Sequence, residues 1–524
     1  MPPREPLKRA KYAVAWAAGA RWFDVFASTA TFLLMARLLG PHTWGLYGMV
    51  LLVTVLPETI IGGPLADSLI QRKDLRPGHI AGARVLHVGL ALALFAGAVG
   101  LTPLLAGAFG QAELVLLIPA LSATFLAMAW AAPSVALLQR DMRFRSIAVI
   151  DATGTATAAI VGIGLALAGW GVWALVLMEV ARRCVRAAGF VIAAGASRAL
   201  NVSFSRRDLA DLMHFNLTSL GAQLLVQADL AIPRLAVGAF MGTQALGYFN
   251  LAFRIFRQGC SLAIAPLNAI ALPLISSVRD DRAQLHKAIR QAAGMATLVA
   301  FPAFMGAAAI APVAIPFLLG EVWAPAVVPM QLMLILGIRA ASMALTGGIL
   351  RGCGHPGLQM VHVAVGLLAT CLLVPLATQF GLAAVAAAML IKGAITWVIG
   401  ALLVQRVSGY SATNQIIVGW RSFLASSLMA GGVVLATPVL AAFLSGWSLL
   451  AVLIAGGVAL HLITLTTLDP QLAGDVRRAV LAKIRRLRGD SLAAGAPLEG
   501  RPLGPPQHGL DGQHRRAAEA GKAI

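Results

Sequence analysis

Five cations stand inside long apolar stretches of this chain: Arg21, Arg254, Arg257, Arg339 and Lys392. A charge at mid-membrane costs roughly 2.5–3.5 kcal/mol even on the lenient insertion scale, so such residues normally face a wet cavity or a partner. Arg254 and Arg257 are spaced i, i+3 and share one helix face. Arg339 and Lys392 each fall near the middle of their own stretch. Guanidinium groups grip phosphate oxygens bidentately, which an ammonium does not, and low-dielectric walls strengthen the attraction. The chemistry this set could perform is capture of an anion. The alternative is that buried acids neutralise each cation. Arg21 with Asp24, at i and i+3, fits that alternative, whereas the other four have no acid within one turn.

The carboxylates within apolar stretches are Asp24, Glu58, Asp67, Glu179 and Asp229. A carboxylate held in low dielectric can carry a proton or Na⁺ through a cycle, and Asp24 and Asp229 are the ion-coupling candidates. Their plainer role would be to neutralise arginines. Arg37 and Arg234, near outer helix ends, are expected to snorkel or to cap. Trp44, Trp170, Trp173, Trp323 and Trp447 fall at outer ends too, as an interfacial belt would.

The elements that position these residues follow from composition. Of 524 residues 59% are hydrophobic and 12% charged, and the mean hydropathy is +0.82. Soluble domains carry about 25% charged residues, so a water-soluble globule is excluded. Stretches of roughly 20 apolar residues cross a bilayer as helices, because hydrocarbon offers backbone groups no other partner. The expected fold is all-α: a polytopic membrane protein of about fourteen transmembrane helices, the first near 12–37 and the last near 447–468.

The net charge of +20 could suggest nucleic acid, but its placement argues otherwise. Even-numbered connections hold Arg72-Lys73-Asp74-Leu75-Arg76, Arg140-Asp141-Met142-Arg143-Phe144-Arg145, then Arg182, Arg183, Arg186, Arg198, Arg206 and Arg207, then Arg279, Arg282, Lys287 and Arg290, then Arg351 and Arg406. The odd ones, such as Leu39-Gly40-Pro41-His42-Thr43 and Phe240-Met241-Gly242, contain no Lys or Arg. Lys and Arg collect in cytoplasmic loops, which puts both termini in the cytoplasm.

The chain also repeats. Arg37-Leu38-Leu39-Gly40 followed by Gly45-Leu46-Tyr47 is similar to Arg234-Leu235-Ala236-Val237-Gly238 followed by Leu246-Gly247-Tyr248, and Gly171-Val172-Trp173-Ala174 aligns with Gly381-Leu382-Ala383-Ala384. Six spans per half in one orientation make a parallel repeat about an axis along the membrane normal. The expected units are a six-helix lobe at 1–200, a second at 201–406, two extra helices at 407–470 and a basic tail at 471–524, with a hinge at 195–208. The tail is expected to lie on anionic lipid in its first part and to lack order in its last thirty-odd residues.

No Walker loop, no HExxH, no GxGxxG after a strand and no nucleophile–base pair occurs. The four cysteines have no CxxC spacing. Neither an enzyme nor a cofactor or metal is expected, and energy would come from ion or substrate gradients.

At Met35-Ala36-Arg37-Leu38-Leu39-Gly40-Pro41 with Trp44-Gly45-Leu46-Tyr47, at Leu69-Ile70-Gln71-Arg72-Lys73-Asp74, at Arg140–Arg145, at Ala245–Arg254 and at Leu319–Ala326, the chain resembles the oligosaccharide flippases of the multidrug/oligosaccharidyl-lipid/polysaccharide exporter superfamily. The resemblance covers about residues 10–405 and points to the polysaccharide branch. It implies an alternating-access flippase of the bacterial inner membrane, carrying an undecaprenyl-pyrophosphate-linked glycan to the periplasmic leaflet. It also implies a cationic cavity for the pyrophosphate, with membrane lipids, a polysaccharide polymerase and export machinery as partners. Ile232-Pro233-Arg234 places a proline where such proteins keep a smoother helix end. A cation-coupled drug exporter would need an acid-dominated cavity, and a scaffold of a synthesis complex would transport nothing.

Overall fold

A computed structural model describes residues 4–62, 69–70, 76–195, 217–264, 275–278 and 281–468, with the backbone alone for 4–22, 77, 217–220 and 222. The side chain of Arg21, nearly all of the hinge expected at 195–208, and the tail expected at 471–524 lie outside the described residues. No strand occurs among the described residues. The helices are α1 (Arg4–Gly62), α2 (Pro77–Phe109), α3 (Leu114–Ser122), α4 (Thr124–Arg140), α5 (Phe144–Leu167), α6 (Val172–Ala194), α7 (Leu217–Ala263), α8 (Arg282–Leu319), α9 (Val327–Ser342), α10 (Thr346–Gly352), α11 (Pro356–Ala377), α12 (Leu382–Ser408), α13 (Ala412–Ile417), α14 (Trp420–Ala441) and α15 (Gly446–Leu468).

Eleven helical segments among the described residues are long and apolar enough to cross a membrane. Two of them are doubled: α1 folds back at Gly40 (φ 71°) and α7 at Gly242 (φ 84°), each bend leaving helical geometry. A positive φ of that kind suits glycine, which has no Cβ to clash. Counting both arms, and adding α6, whose charges keep it off a purely apolar tally, the arrangement is consistent with the expected fourteen crossings.

The two bent helices pack against each other and form the spine between the halves of the molecule. In the N-terminal half α5 and α6 pair and α5 lies along α1; in the C-terminal half α9, α11 and α12 surround α7. Helices α14 and α15 pair with each other and lean on α8. Asp281 caps α8, its carboxylate accepting from the backbone N–H groups of Ala283 and Gln284 at 2.9 and 3.1 Å. Capping satisfies donors that the first helical turn leaves orphaned.

The apolar core is distributed unequally. One large cluster draws on both halves, including Trp44, Leu46, Tyr47, Leu246, Phe249 and Trp323. Toward the end that carries the basic connections the clusters separate: Ile275, Leu285, Ile289 and Leu350 belong to one half, while Leu138, Ile150 and Phe190 belong to the other. Shared packing at one end and divided packing at the other is the shape of a two-lobed molecule closed on one side.

Candidate functional site

The closure is built by backbone approach. A Cβ added at Gly45 would collide with the Thr243 carbonyl, and one at Gly247 would collide with the Pro41 carbonyl. The pairs Gly40/Gly242, Pro41/Thr243 and Gly45/Gly247 keep one constant spacing, so each lobe presents the same turn to the other. That spacing sets Arg37 opposite Ala239 and Arg234 opposite Phe32, which corrects the register in which the two arginines were matched. Small residues permit backbones to approach this closely in membrane bundles.

Side chains finish the seal. The Trp323 indole donates to the Ala36 carbonyl at 3.1 Å, and the Tyr248 hydroxyl donates to the Val322 carbonyl at 3.0 Å. Arg37 donates to the carbonyls of Phe317 and Leu318 at 3.3 and 3.4 Å, capping the C-terminus of α8 as expected. Trp44 and Trp323 are 6% and 0% exposed, so neither joins an interfacial belt; both lie in the seam between lobes. Trp170 and Trp447, at 54% and 70% exposed, keep the surface position foreseen for them.

Below the seal lies a cavity of 410 Å³, lined from α1, α5, α6 and α7. It holds five arginines, Arg182, Arg183, Arg234, Arg254 and Arg257, against two carboxylates, Glu58 and Glu179. Its lining therefore carries three more positive than negative charges. A second cavity of 1090 Å³ shares Val55, Glu58 and Gln227 with the first and reaches Gly62, Arg351 and Pro356. The space thus continues toward the end bearing the basic connections, and it is sealed at the end whose connections lack them.

The two walls differ in charge balance. On the N-terminal wall Glu179 accepts from Arg182 and from Arg183, both at 2.6 Å, and Glu58 pairs with Arg183 at 2.6 Å. Arg183 also donates to Thr124 at 3.2 Å. Residues 179, 182, 183 and 186 share one face of α6, so these charges form an internally neutralised strip in which Glu179 and Arg183 are buried. The strip extends to Arg186, which pairs with Asp151 of α5 at 2.7 Å. On the opposite wall, among the described residues, no carboxylate lies within ion-pair distance of Arg234, Arg254 or Arg257. Arg254 stacks across the gap over Phe32, 4.1 Å from the ring centroid, and donates to the Ser28 carbonyl at 3.4 Å. Arg234 lies 5.2 Å from the Phe253 ring and donates to the Leu230 carbonyl. A cation over an aromatic face is held by about 0.5–2 kcal/mol, which orients it without cancelling its charge.

Of the five cations singled out from the sequence, Arg254 and Arg257 meet in this cavity. Arg339 and Lys392 stand elsewhere in the C-terminal lobe: Arg339 donates to Thr396 at 2.8 Å, and Lys392 contacts both oxygens of Asp229 at 2.6 Å. Asp24 accepts from Thr155 at 2.6 Å, and among the described residues no cation pairs with it. Arg182, Arg183 and Arg234 were missed. The first two had been counted with a cytoplasmic connection, although the spacing 179, 182, 183, 186 is that of a helix face. Arg234 had been placed at a helix end because of its match to Arg37.

The sequence matches the polysaccharide biosynthesis protein family over residues 34–328, more than half of the chain. The chain belongs to that family. Among its relatives are the lipopolysaccharide biosynthesis protein WzxC of Escherichia coli (strain K12), 22% identical over 62% of this chain, and the succinoglycan biosynthesis transport protein ExoT of Rhizobium meliloti (strain 1021), 25% identical over 63% of it. The chain spans 66% of the length of each. In structure it is similar to the lipid II flippase MurJ in an inward closed conformation, with a TM-score of 0.67 at 14% identity, covering 87% of this chain and 99% of that one. The likeness to that flippase shows a shared fold, and the family match agrees with the polysaccharide branch that the sequence motifs resemble.

Proposed function

We propose that this family member flips a lipid-linked oligosaccharide whose anionic phosphate head is taken up by Arg234, Arg254 and Arg257, with Arg182 and Arg183 facing them. The observation that carries the reading is the excess positive charge in a cavity shared by two lobes, concentrated on one wall and left without carboxylate partners there. Desolvated guanidinium groups with free donors attract phosphate oxygens strongly, and the donor fork matches their geometry. The second cavity gives the glycan room, and a lipid tail can stay in the bilayer beside the lobes.

The state described is the one that loads. It is open toward the basic connections, the cytoplasmic side by the distribution of Lys and Arg, and shut at the other by the two glycine turns. Transport then requires the seal at Gly45, Gly247 and Trp323 to part while the divided cores at the opposite end close. A fully bound phosphate neutralises the repulsion among the three arginines, which favours that closure. Asp24, hydrogen-bonded to Thr155 and without a cation partner among the described residues, is the group in a position to carry a coupling proton.

In this reading the substrate is an undecaprenyl-pyrophosphate-linked glycan, the membrane is the bacterial inner membrane with both termini cytoplasmic, and a polymerase with its export machinery consumes what is delivered. A drug exporter fits less well, since organic cations would meet a surplus of arginine. The test is export in cells lacking their own repeat-unit flippase. Wild-type chain should restore surface polysaccharide, and Arg254→Gln combined with Arg257→Gln should not, at equal amounts of folded protein in the membrane. Undiminished export by the double variant would refute the assignment.

A further inference from the structure

Each lobe carries one aspartate on the first arm of its bent helix, and each aspartate accepts a hydrogen bond from a threonine of the helix five spans into the repeat. Asp24 of α1 accepts from Thr155 of α5, and Asp229 of α7 accepts from Thr370 of α11, both at 2.6 Å. The clusters then diverge. Lys392 stands on α12 as far beyond Gly381 as Arg182 stands on α6 beyond Gly171. In the N-terminal lobe Arg182 turns to Glu179, and Asp24 keeps only its threonine among the described residues. In the C-terminal lobe the ammonium of Lys392 sits on both oxygens of Asp229.

An ammonium at 2.6 Å from two carboxylate oxygens, next to a hydroxyl that already donates to one of them, occupies the place a small monovalent cation would take. Hard cations bind carboxylate, hydroxyl and carbonyl oxygens. This cluster supplies such atoms from two helices, the Asp229 carboxylate from α7 and the Thr370 hydroxyl from α11. The Lys392 stem packs beside Gly366, where a side chain would come within 3.7 Å of its Cε. Thr396, one turn on, accepts from Arg339 of α9 and donates to the Lys392 carbonyl, which ties α9 to the lysine's own helix.

We propose that Lys392 is a tethered cation: it fills a monovalent-cation site formed by Asp229 and Thr370, joins α7, α11 and α12, and makes the C-terminal lobe independent of Na⁺. Coupling is left to the N-terminal lobe, where among the described residues no cation is tethered to Asp24. The inference goes beyond the flippase reading and does not require any particular glycan.

Thermal melting of the purified full chain in detergent tests it without measuring transport. Protein is compared in sodium chloride and in choline chloride at equal ionic strength. Wild type should melt alike in both. Lys392→Met, which vacates the site and leaves the Asp229 oxygens without their ammonium, should melt lower in choline and recover in sodium by about 2 °C or more, the size expected for a ligand well above its dissociation constant. Asp229→Asn combined with Lys392→Met should lose that response. Lys392→Gln serves in the same comparison if Lys392→Met is not recovered folded. A wild-type protein stabilised by Na⁺ through Asp229, or a folded Lys392 variant indifferent to Na⁺, Li⁺ and K⁺ alike, would overturn the proposal.

Discussion

The two lobes put arginine to opposite uses. On the N-terminal wall of the cavity Arg182 and Arg183 are bound into a network with Glu58 and Glu179, in which two positive charges meet two negative ones. On the C-terminal wall Arg234, Arg254 and Arg257 are steadied by aromatic rings and backbone carbonyls, which leave their charge intact. One wall is a fixed scaffold and the other is a receptor. Away from the cavity the roles reverse: the C-terminal lobe neutralises its own aspartate through Lys392, and in the N-terminal lobe Asp24 has, among the described residues, only the Thr155 hydroxyl.

The comparison breaks most visibly if the receptor wall is reversed. Arg254→Glu with Arg257→Glu should remove detectable binding of a lipid pyrophosphate, because loss of each desolvated charge contact is worth roughly 2–5 kcal/mol; equilibrium binding to the purified protein reads this. The scaffold wall should respond differently. Glu179→Gln strands Arg182 and takes from Arg183 one of its two carboxylates, and should lower stability by roughly 3 kcal/mol, seen in a thermal melt, while protein that does fold still binds the pyrophosphate. Gly247→Ala presses a methyl group into the Pro41 carbonyl and should cost the sealed state about 1–3 kcal/mol. Labelling of a cysteine introduced into the cavity at Leu51 by an impermeant reagent from the outer side should rise accordingly. Trp323→Phe deletes one buried hydrogen bond to Ala36 and should cost about 1 kcal/mol, a small drop in melting temperature with the same direction of labelling.

Much of the fold was legible because each span is a local run of apolar residues, with its polarity marked by Lys and Arg at one end. The bends at Gly40 and Gly242 fell where connections were expected, since a glycine followed by a break in the pattern is a local signal too. The candidate site was legible only in part. Arg254 and Arg257 stood out because no acid lies within a turn of either. Arg182 and Arg183 were obscured by the basic connection that follows α6, with which they group in sequence, though their helical spacing from Glu179 was available. The pairing of Lys392 with Asp229 had no signal along the chain: the partners are 163 positions apart on different helices, and only packing of α7 against α12 brings them together. Trp44 and Trp323 misled for a similar reason, since an indole at a helix end suits a lipid interface and a seam between lobes equally well.

The most direct test of the receptor wall is the affinity of the purified protein for an undecaprenyl-pyrophosphate-linked glycan relative to the same glycan on uncharged undecaprenol. Wild type should prefer the charged lipid by about 100-fold, the factor that roughly 2.7 kcal/mol of charge recognition provides. Replacing Arg234, Arg254 and Arg257 by Gln should erase that preference and leave binding of the uncharged lipid unchanged. Equal affinity of the wild type for both lipids, or a preference that survives loss of all three arginines, would contradict the account.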